Sequence, residues 1–279
     1  MPHDQVLLTI ENACQVDIGN RGIGPLITPG VLPRAVDALR RPPEGGRAVV
    51  VTGMPCCIDK PPPQFESDGL IGSVCVAKAL KSVGWEVSLG VEEDIAEVLT
   101  VLTDDEIPVI GVDPASSPSE VSKKIGRVHT VVCIERAAPP YKTMRNLQMD
   151  AAKIAPLHCL SEMEGVVTVA VGDGGNEMGM GPLQDLVAKY IPLGESIKTS
   201  TRSDFCLVAG TSDWGSLALA MSLGLNWSRE QHEQLSAILQ EKGVRDGVTG
   251  VPGPTLDGIP LERTYDLIDK MRKILIEQD

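Results

Sequence analysis

Short runs of Val and Ile, closed off by glycine and separated by helix-like stretches, recur along the whole chain. The runs are Arg47–Gly53 (RAVVVTG), Glu86–Val91, Ile107–Val112, His129–Glu135, Val166–Val171 and Phe205–Ala209. Continuous rather than alternating apolar runs are the pattern of strands covered on both faces, which is the situation in parallel sheets. Helices between successive strands make the crossovers, and right-handed crossovers make a doubly wound layer the default. The pattern predicts a three-layer α/β fold: a doubly wound, mostly parallel sheet with helices on both faces. Helices are expected at Leu70–Val83, Glu92–Leu102, near Pro118–Ile125, about Thr143–Met163, about Glu177–Tyr190 and Trp214–Leu223. Amphipathic helices follow at Arg229–Lys242 and Leu261–Gln278. Residues 1–40 read as an N-terminal helix plus an irregular arm. Strand-like sequence resumes soon after the Pro-rich segments Arg41–Gly46 and Lys60–Pro63, so a single α/β domain spanning 1–279 is expected.

Composition narrows the function. With 25 Lys+Arg against 38 Asp+Glu the net charge is −13, so no nucleic-acid partner is expected, because neutralising phosphates takes clustered cations. Three Trp, three Tyr and two Phe offer no stacking platform for single strands. No apolar run reaches the length of a membrane span, so no membrane partner is expected. MPHDQVLLTIENAC carries Asp4 and Glu11 and shows neither a secretory signal nor an Arg-rich transit peptide. Seven scattered cysteines read as reduced core thiols. A cytoplasmic location follows, with the mitochondrial matrix as the alternative for a eukaryotic chain. The two C-terminal amphipathic helices could serve a homo-oligomer or simply cover the sheet.

In a doubly wound sheet, ligands bind beyond the carboxyl ends of the strands, so the residues just after each strand carry the information. After the first strand comes GMPCCIDKPPPQFESDGLIG, where Asp68 or Ser67 could cap the next helix. Gly69 and Gly72 would let a ligand approach its first-turn N–H groups. Simple capping explains these residues about as well. After Val166–Val171 comes GDGGNEMGMG, with Gly172, Gly174 and Gly175 around Asp173, followed by Asn176 and Glu177. So dense a glycine loop suggests backbone amides gathered around a small anion, a carboxylate or a phosphate. It matches neither G-x-G-x-x-G nor a P-loop. Asp173 and Glu177 are candidate oxygen ligands for Mg²⁺ or Mn²⁺. Arg136 and Arg145, after the fourth strand, could grip carboxylates through bidentate guanidinium contacts, with surface ion pairing as the bland reading. Ser212 and Asp213 sit at a helix start, where capping alone accounts for them. Cys56-Cys57 could be a nucleophile or redox pair, but it lacks C-x-x-C spacing and a nearby His, so buried thiols are the simpler reading. His158 reads as structural.

Taken in order, GMPCCIDKPPPQFESDGLIG, the ER…YKTMR stretch, APLHCL, VGDGGNEMGMG, DFCLVAGTSDWGSLALA and RDGVTG resemble the catalytic domain of the D-glutamate cyclase family. The resemblance runs from about Gly53 to Gly250 and is carried by the ordered sum of motifs, none decisive alone. It departs from the family after Arg136, where Ala-Ala-Pro-Pro replaces a glycine-rich stretch. In some relatives this domain follows another one and the protein is mitochondrial, whereas here it is expected to stand alone. The resemblance implies a lyase (hydro-lyase) that converts D-glutamate to 5-oxo-D-proline with loss of water. A non-catalytic binding protein for an acidic metabolite, or a phosphate-dependent enzyme cradling its ligand at Gly172–Gly175, are the alternatives.

That reaction joins an α-amine to a γ-carboxylate within one small amino-acid substrate, so proximity is intrinsic and no cofactor is required. A carboxylate base and a carboxylic acid of raised pKa could divide the proton transfers. The catalytic candidates are Glu66, Asp68, Asp173 and Glu177. Gly69, Gly72, Arg136, Arg145, Gly172, Gly174, Gly175, Asn176 and Ser212 are the candidate substrate contacts.

Overall fold

A computed structural model describes residues 3–277. Six strands form one sheet: β1 (Arg47–Gly53), β2 (Glu86–Glu92), β3 (Val109–Val112), β4 (Thr130–Arg136), β5 (Val167–Gly172) and β6 (Phe205–Val208). All five pairings are parallel, in the order β3-β2-β1-β4-β5-β6. The chain winds outward from β1 to β3, then returns to lay β4 against the other side of β1. This reversal leaves a crevice beyond the carboxyl ends of β1 and β4, because the loops leaving those two strands diverge to opposite sides.

Ten helices accompany the strands: α1 (His3–Cys14), α2 (Val31–Leu39), α3 (Leu70–Ser82), α4 (Glu93–Thr103), α5 (Pro118–Ile125), α6 (Gln184–Tyr190), α7 (Gly194–Ile197), α8 (Ser212–Ser222), α9 (Arg229–Glu241) and α10 (Leu261–Ile276). The continuous Val runs are explained by burial on both faces. Val50, Val132, Ile134, Val169 and Val171 pack under α3, α4 and α8, with α1, α9 and α10 outside them. Val49, Val51, Val131, Cys133 and Ala170 face α5 and a 3-10 turn at Leu157–Glu162. A smaller cluster joins Val208 to α6 and to Ile23 and Leu26 of the N-terminal arm. A two-residue hairpin, β7 (Thr255–Leu256) and β8 (Ile259–Pro260), precedes α10. No described helix is long and apolar enough to cross a membrane.

Four expectations change. No helix spans Thr143–Met163, because Pro156 interrupts it and only short turns form at Ala151–Lys153 and Leu157–Glu162. The helix expected from Glu177 starts at Gln184, after Gly179, Gly181 and Pro182. The N-terminal region holds a second helix, α2, and Glu92 ends β2 instead of beginning a helix. Gln278 and residues 1–2 lie outside the described residues; the last helix is described to Ile276.

Candidate active site

At the crevice lies a cavity of about 200 Å³, walled by Glu66, Glu135, Asp257, Arg21, Asn176 and Arg145 among others. Glu66 arrives on the loop after β1. That loop folds back on itself, Glu66 N–H donating to Met54 O at 3.1 Å and Ser67 N–H to Arg245 O at 2.8 Å. The RDGVTG segment thus lies directly on Glu66. A Cβ at Gly247 would strike the Glu66 carboxylate, so glycine lets the segment approach this closely without displacing that side chain.

Glu135 reaches the cavity through a break in the sheet. β1 and β4 run in register until Thr52 pairs with Ile134, and then Gly53 pairs with Arg136, leaving Glu135 as an extra residue. Its φ is +40°, a strained value for a non-glycine residue. The bulge turns Glu135 toward the cavity and sends Arg136 elsewhere, as bulges do beside functional sites. Ser212 Oγ donates to Glu135 Oε2 at 2.6 Å.

Asp68 binds two helix starts together. Its Oδ1 accepts N–H from Gly69 at 2.9 Å and Asp213 at 2.8 Å, and its Oδ2 accepts from Ser212 at 2.8 Å. Asp213 returns the contact, accepting Gly72 N–H at 2.7 Å. Each helix is therefore capped by an acid from the other's N-terminal turn, where partial positive charge favours carboxylates. Gly69 and Gly72 serve this junction, and neither lines the cavity.

Glu177 explains the glycine-rich loop. Its carboxylate accepts N–H from Asp173 at 3.0 Å, Gly174 at 2.7 Å and Gly175 at 2.6 Å. The amides do gather around an anion, but the anion is part of the chain. Glu177 and the glycines Gly172, Gly174 and Gly175 are thereby committed to the loop itself, and the amides of 173–175 are already taken by the Glu177 carboxylate. Of this loop, Asn176 lines the cavity, its Nδ2 donating to Lys142 O at 2.9 Å.

The arginines are redistributed. Arg136 is fully buried in a two-pronged pair with Glu92, Nη1 to Oε2 and Nη2 to Oε1 both at 2.6 Å. It also donates to Thr52 O at 3.2 Å and Ala155 O at 2.6 Å. It does not reach the cavity. Arg145 does, bridging the mouth to Gly247 O at 3.0 Å and Val248 O at 3.2 Å. The cation facing the acids is Arg21, from the irregular arm between α1 and α2. It pairs with Asp173, and with Asp257 at 2.8 Å. Arg21, Glu135 and Asp257 were missed as site residues. Glu135 alone carries a signal in the sequence, a charged residue at a strand end beside Arg136; the other two come from an arm and a hairpin far away in sequence.

Burial, then the neighbouring acids, pushes Glu66, Asp68 and Glu135 well above the usual carboxylate range. Burial raises Asp173 as well, against the pull of Arg21. Burial opposes the Arg21 charge, but Asp173 and Asp257 hold it cationic. One oxygen each from Asp68, Glu135 and Asp173 lies within 4.8 Å of the others. Asp173 Oδ2 is buried and has no hydrogen-bond partner among the described residues. An all-oxygen set of three buried carboxylates, with Asp173 Oδ2 unpartnered among the described residues, fits a hard divalent cation such as Mg²⁺ or Mn²⁺.

Fold and site together define a doubly wound α/β protein with a well of buried carboxylates at its switch point. The chain belongs to the D-glutamate cyclase-like, C-terminal family, whose model matches residues 10–272. It is also similar to the human protein named mitochondrial D-glutamate cyclase, at 26% identity over 98% of this chain and 52% of that protein. The chain thus spans about half the length of that relative.

Proposed function

We propose that this chain is a hydro-lyase that closes D-glutamate onto itself, giving 5-oxo-D-proline and water. The observation that carries the reading is the pair Glu66 and Glu135, two buried acids of raised pKa in one cavity wall. The family and the name of the human relative support the same chemistry. Overall, an ammonium and a carboxylate become an amide and a water, so two protons must move from nitrogen to the departing oxygen. Glu135, whose carboxylate accepts a hydroxyl hydrogen bond from Ser212, is made a stronger base by its raised pKa, and in its ionised form it takes a proton from the substrate ammonium. The freed amine attacks the γ-carboxyl carbon, its nitrogen passes a second proton to the departing oxygen, and Glu66, held protonated by burial, supplies the other, so that water leaves. Glu66 then recovers a proton from Glu135, which resets both acids. Arg145 and Lys60 at the mouth and Arg21 within supply the positive charge that an anionic substrate needs. A divalent cation would be held by Asp68, Glu135 and Asp173 and would supply Lewis-acid charge stabilisation.

The test incubates purified protein separately with D- and L-glutamate, with and without Mg²⁺ or Mn²⁺, and follows 5-oxoproline by chiral chromatography. 5-Oxo-D-proline from the D isomer is expected, and Glu66→Gln and Glu135→Gln each slow it by about 10²–10⁴-fold. Binding of D-glutamate with no product under any of these conditions overturns the reading.

A further inference from the structure

Cys56 and Cys57 stand in the wall of the same cavity, their sulfurs 3.9 Å apart. From the sequence alone they read as buried thiols; Cys57 is buried and Cys56 half-buried, and both line the cavity. Cys57 N–H donates to Gln64 O at 3.0 Å and Cys56 N–H to Met54 O at 2.9 Å, so the backbone of the loop holds the two side chains side by side. Arg245 donates to Pro61 O at 2.9 Å and Pro63 O at 2.7 Å, which fixes a guanidinium over this loop. Cys56 also packs close to Gly247, on the segment that lies on Glu66.

We infer that Cys56–Cys57 is a thiol-exchange site for small disulfides, with Cys57 the attacking sulfur and Cys56 the resolving one. Cys57 sulfur attacks one sulfur of R–S–S–R, forming a Cys57–S–S–R mixed disulfide and releasing R–S⁻. Cys56 then loses its proton to solvent and attacks Cys57 sulfur, forming the Cys56–Cys57 disulfide and releasing a second R–S⁻. Two protein thiols are oxidised by two electrons and the small disulfide is reduced to two thiols. The order follows from each sulfur's neighbours. The Glu66 carboxylate and the Cys56 sulfur pack against the same Gly247, while the Arg245 guanidinium anchored on the loop acts on Cys57. A thiolate is therefore favoured at Cys57 and disfavoured at Cys56. Thiolate character governs attack. Neighbouring Cα atoms sit about 3.8 Å apart, against about 4.4–6.8 Å in ordinary disulfides. The ring closed by adjacent cysteines is therefore strained and readily reduced, so the exchange is reversible. The inference rests on thiol placement and is independent of the proposed reaction.

The test exposes the whole protein to 2-hydroxyethyl disulfide near neutral pH and maps the products by peptide mass spectrometry. The peptide holding Cys56 and Cys57 should lose two hydrogens, about tenfold faster than Cys159 takes up an adduct, and dithiothreitol should restore it. Cys56→Ser should stop at the mixed disulfide on Cys57, and the preference should vanish in urea. Reaction at the pair no faster than at Cys159, or an equal preference in the unfolded chain, overturns the inference. Because the wild-type comparison is decisive by itself, a variant that fails to fold does not spare it.

Discussion

Arg136 and Glu135 are neighbours in sequence, and one bulge gives them opposite fates. Arg136 completes a buried ion pair that ties the end of β4 to the end of β2, while Glu135 enters the cavity. Arg136→Met leaves Glu92 buried and uncompensated, and unfolding by denaturant should show a loss of about 3–5 kcal/mol. Arg145→Met, at the exposed mouth, should change stability by no more than about 0.5 kcal/mol. Equal losses for the two would show that Arg136 is not the structural one. A strand end rich in charge was visible in the sequence, but not which charge turned inward. A single extra residue in β4 reverses that assignment, because successive strand side chains point to opposite faces.

At the scale of elements, the sequence pattern marks α3 and α8 as helices but does not show why Gly72 stands in the first turn of α3. Gly72 sits where a Cβ would come 2.6 Å from Ser216 Cβ and 2.8 Å from Asp213 Oδ1. Gly72→Ala should push the two helix starts apart and cost about 1–3 kcal/mol in thermal or denaturant unfolding. A neutral result would mean the junction is loose. The loop after β5 makes a parallel case. Glu177→Gln keeps the shape but replaces a carboxylate that accepts three amides, so the N–H groups of 173–175 should exchange with deuterium faster than in the wild type. Unchanged exchange would show that Glu177 does not close the loop. The glycine content of this loop signalled bound negative charge. The sequence could not show that the charge came from two to four residues further on, because that depends on the loop's curl.

At the scale of the molecule, the acids gathered at one end of the sheet should set how stability varies with pH. A carboxyl whose folded pKa is raised keeps its proton in the folded chain after the unfolded chain has released it. Its contribution is full below the unfolded value and is lost as pH rises through the folded one. Asp213 is pushed up to about 7 from 3.8 by burial, and the same cause raises Glu66, Asp68, Glu135 and Asp173 well above their ordinary values. His232, buried 3.7 Å from Asp213, works the other way, because burial lowers it to about 3 from 6.5. Its opposing effect is complete above its ordinary value, so the acids act alone from there. The melting temperature should fall between about pH 6.5 and pH 8, and Asp213→Asn should soften the fall. A melting temperature that rises over this range would contradict the shifts.

The sequence by itself determined the fold class and the strand ends where the site lies, since Val/Ile runs bounded by glycine are a local pattern that burial on both faces imposes. That Glu66 and Asp68 share one loop between a strand end and a helix start was legible, but not that Glu66 faces the cavity while Asp68 ties two helix starts together. Tertiary structure alone decided the rest. Arg21 and Asp257 come from an arm and a hairpin that only folding brings to the same carboxylates, and a one-residue bulge chose Glu135 over Arg136. Charge pairing in a buried well depends on which side chains meet, and proximity in space is not written in the spacing of the residues.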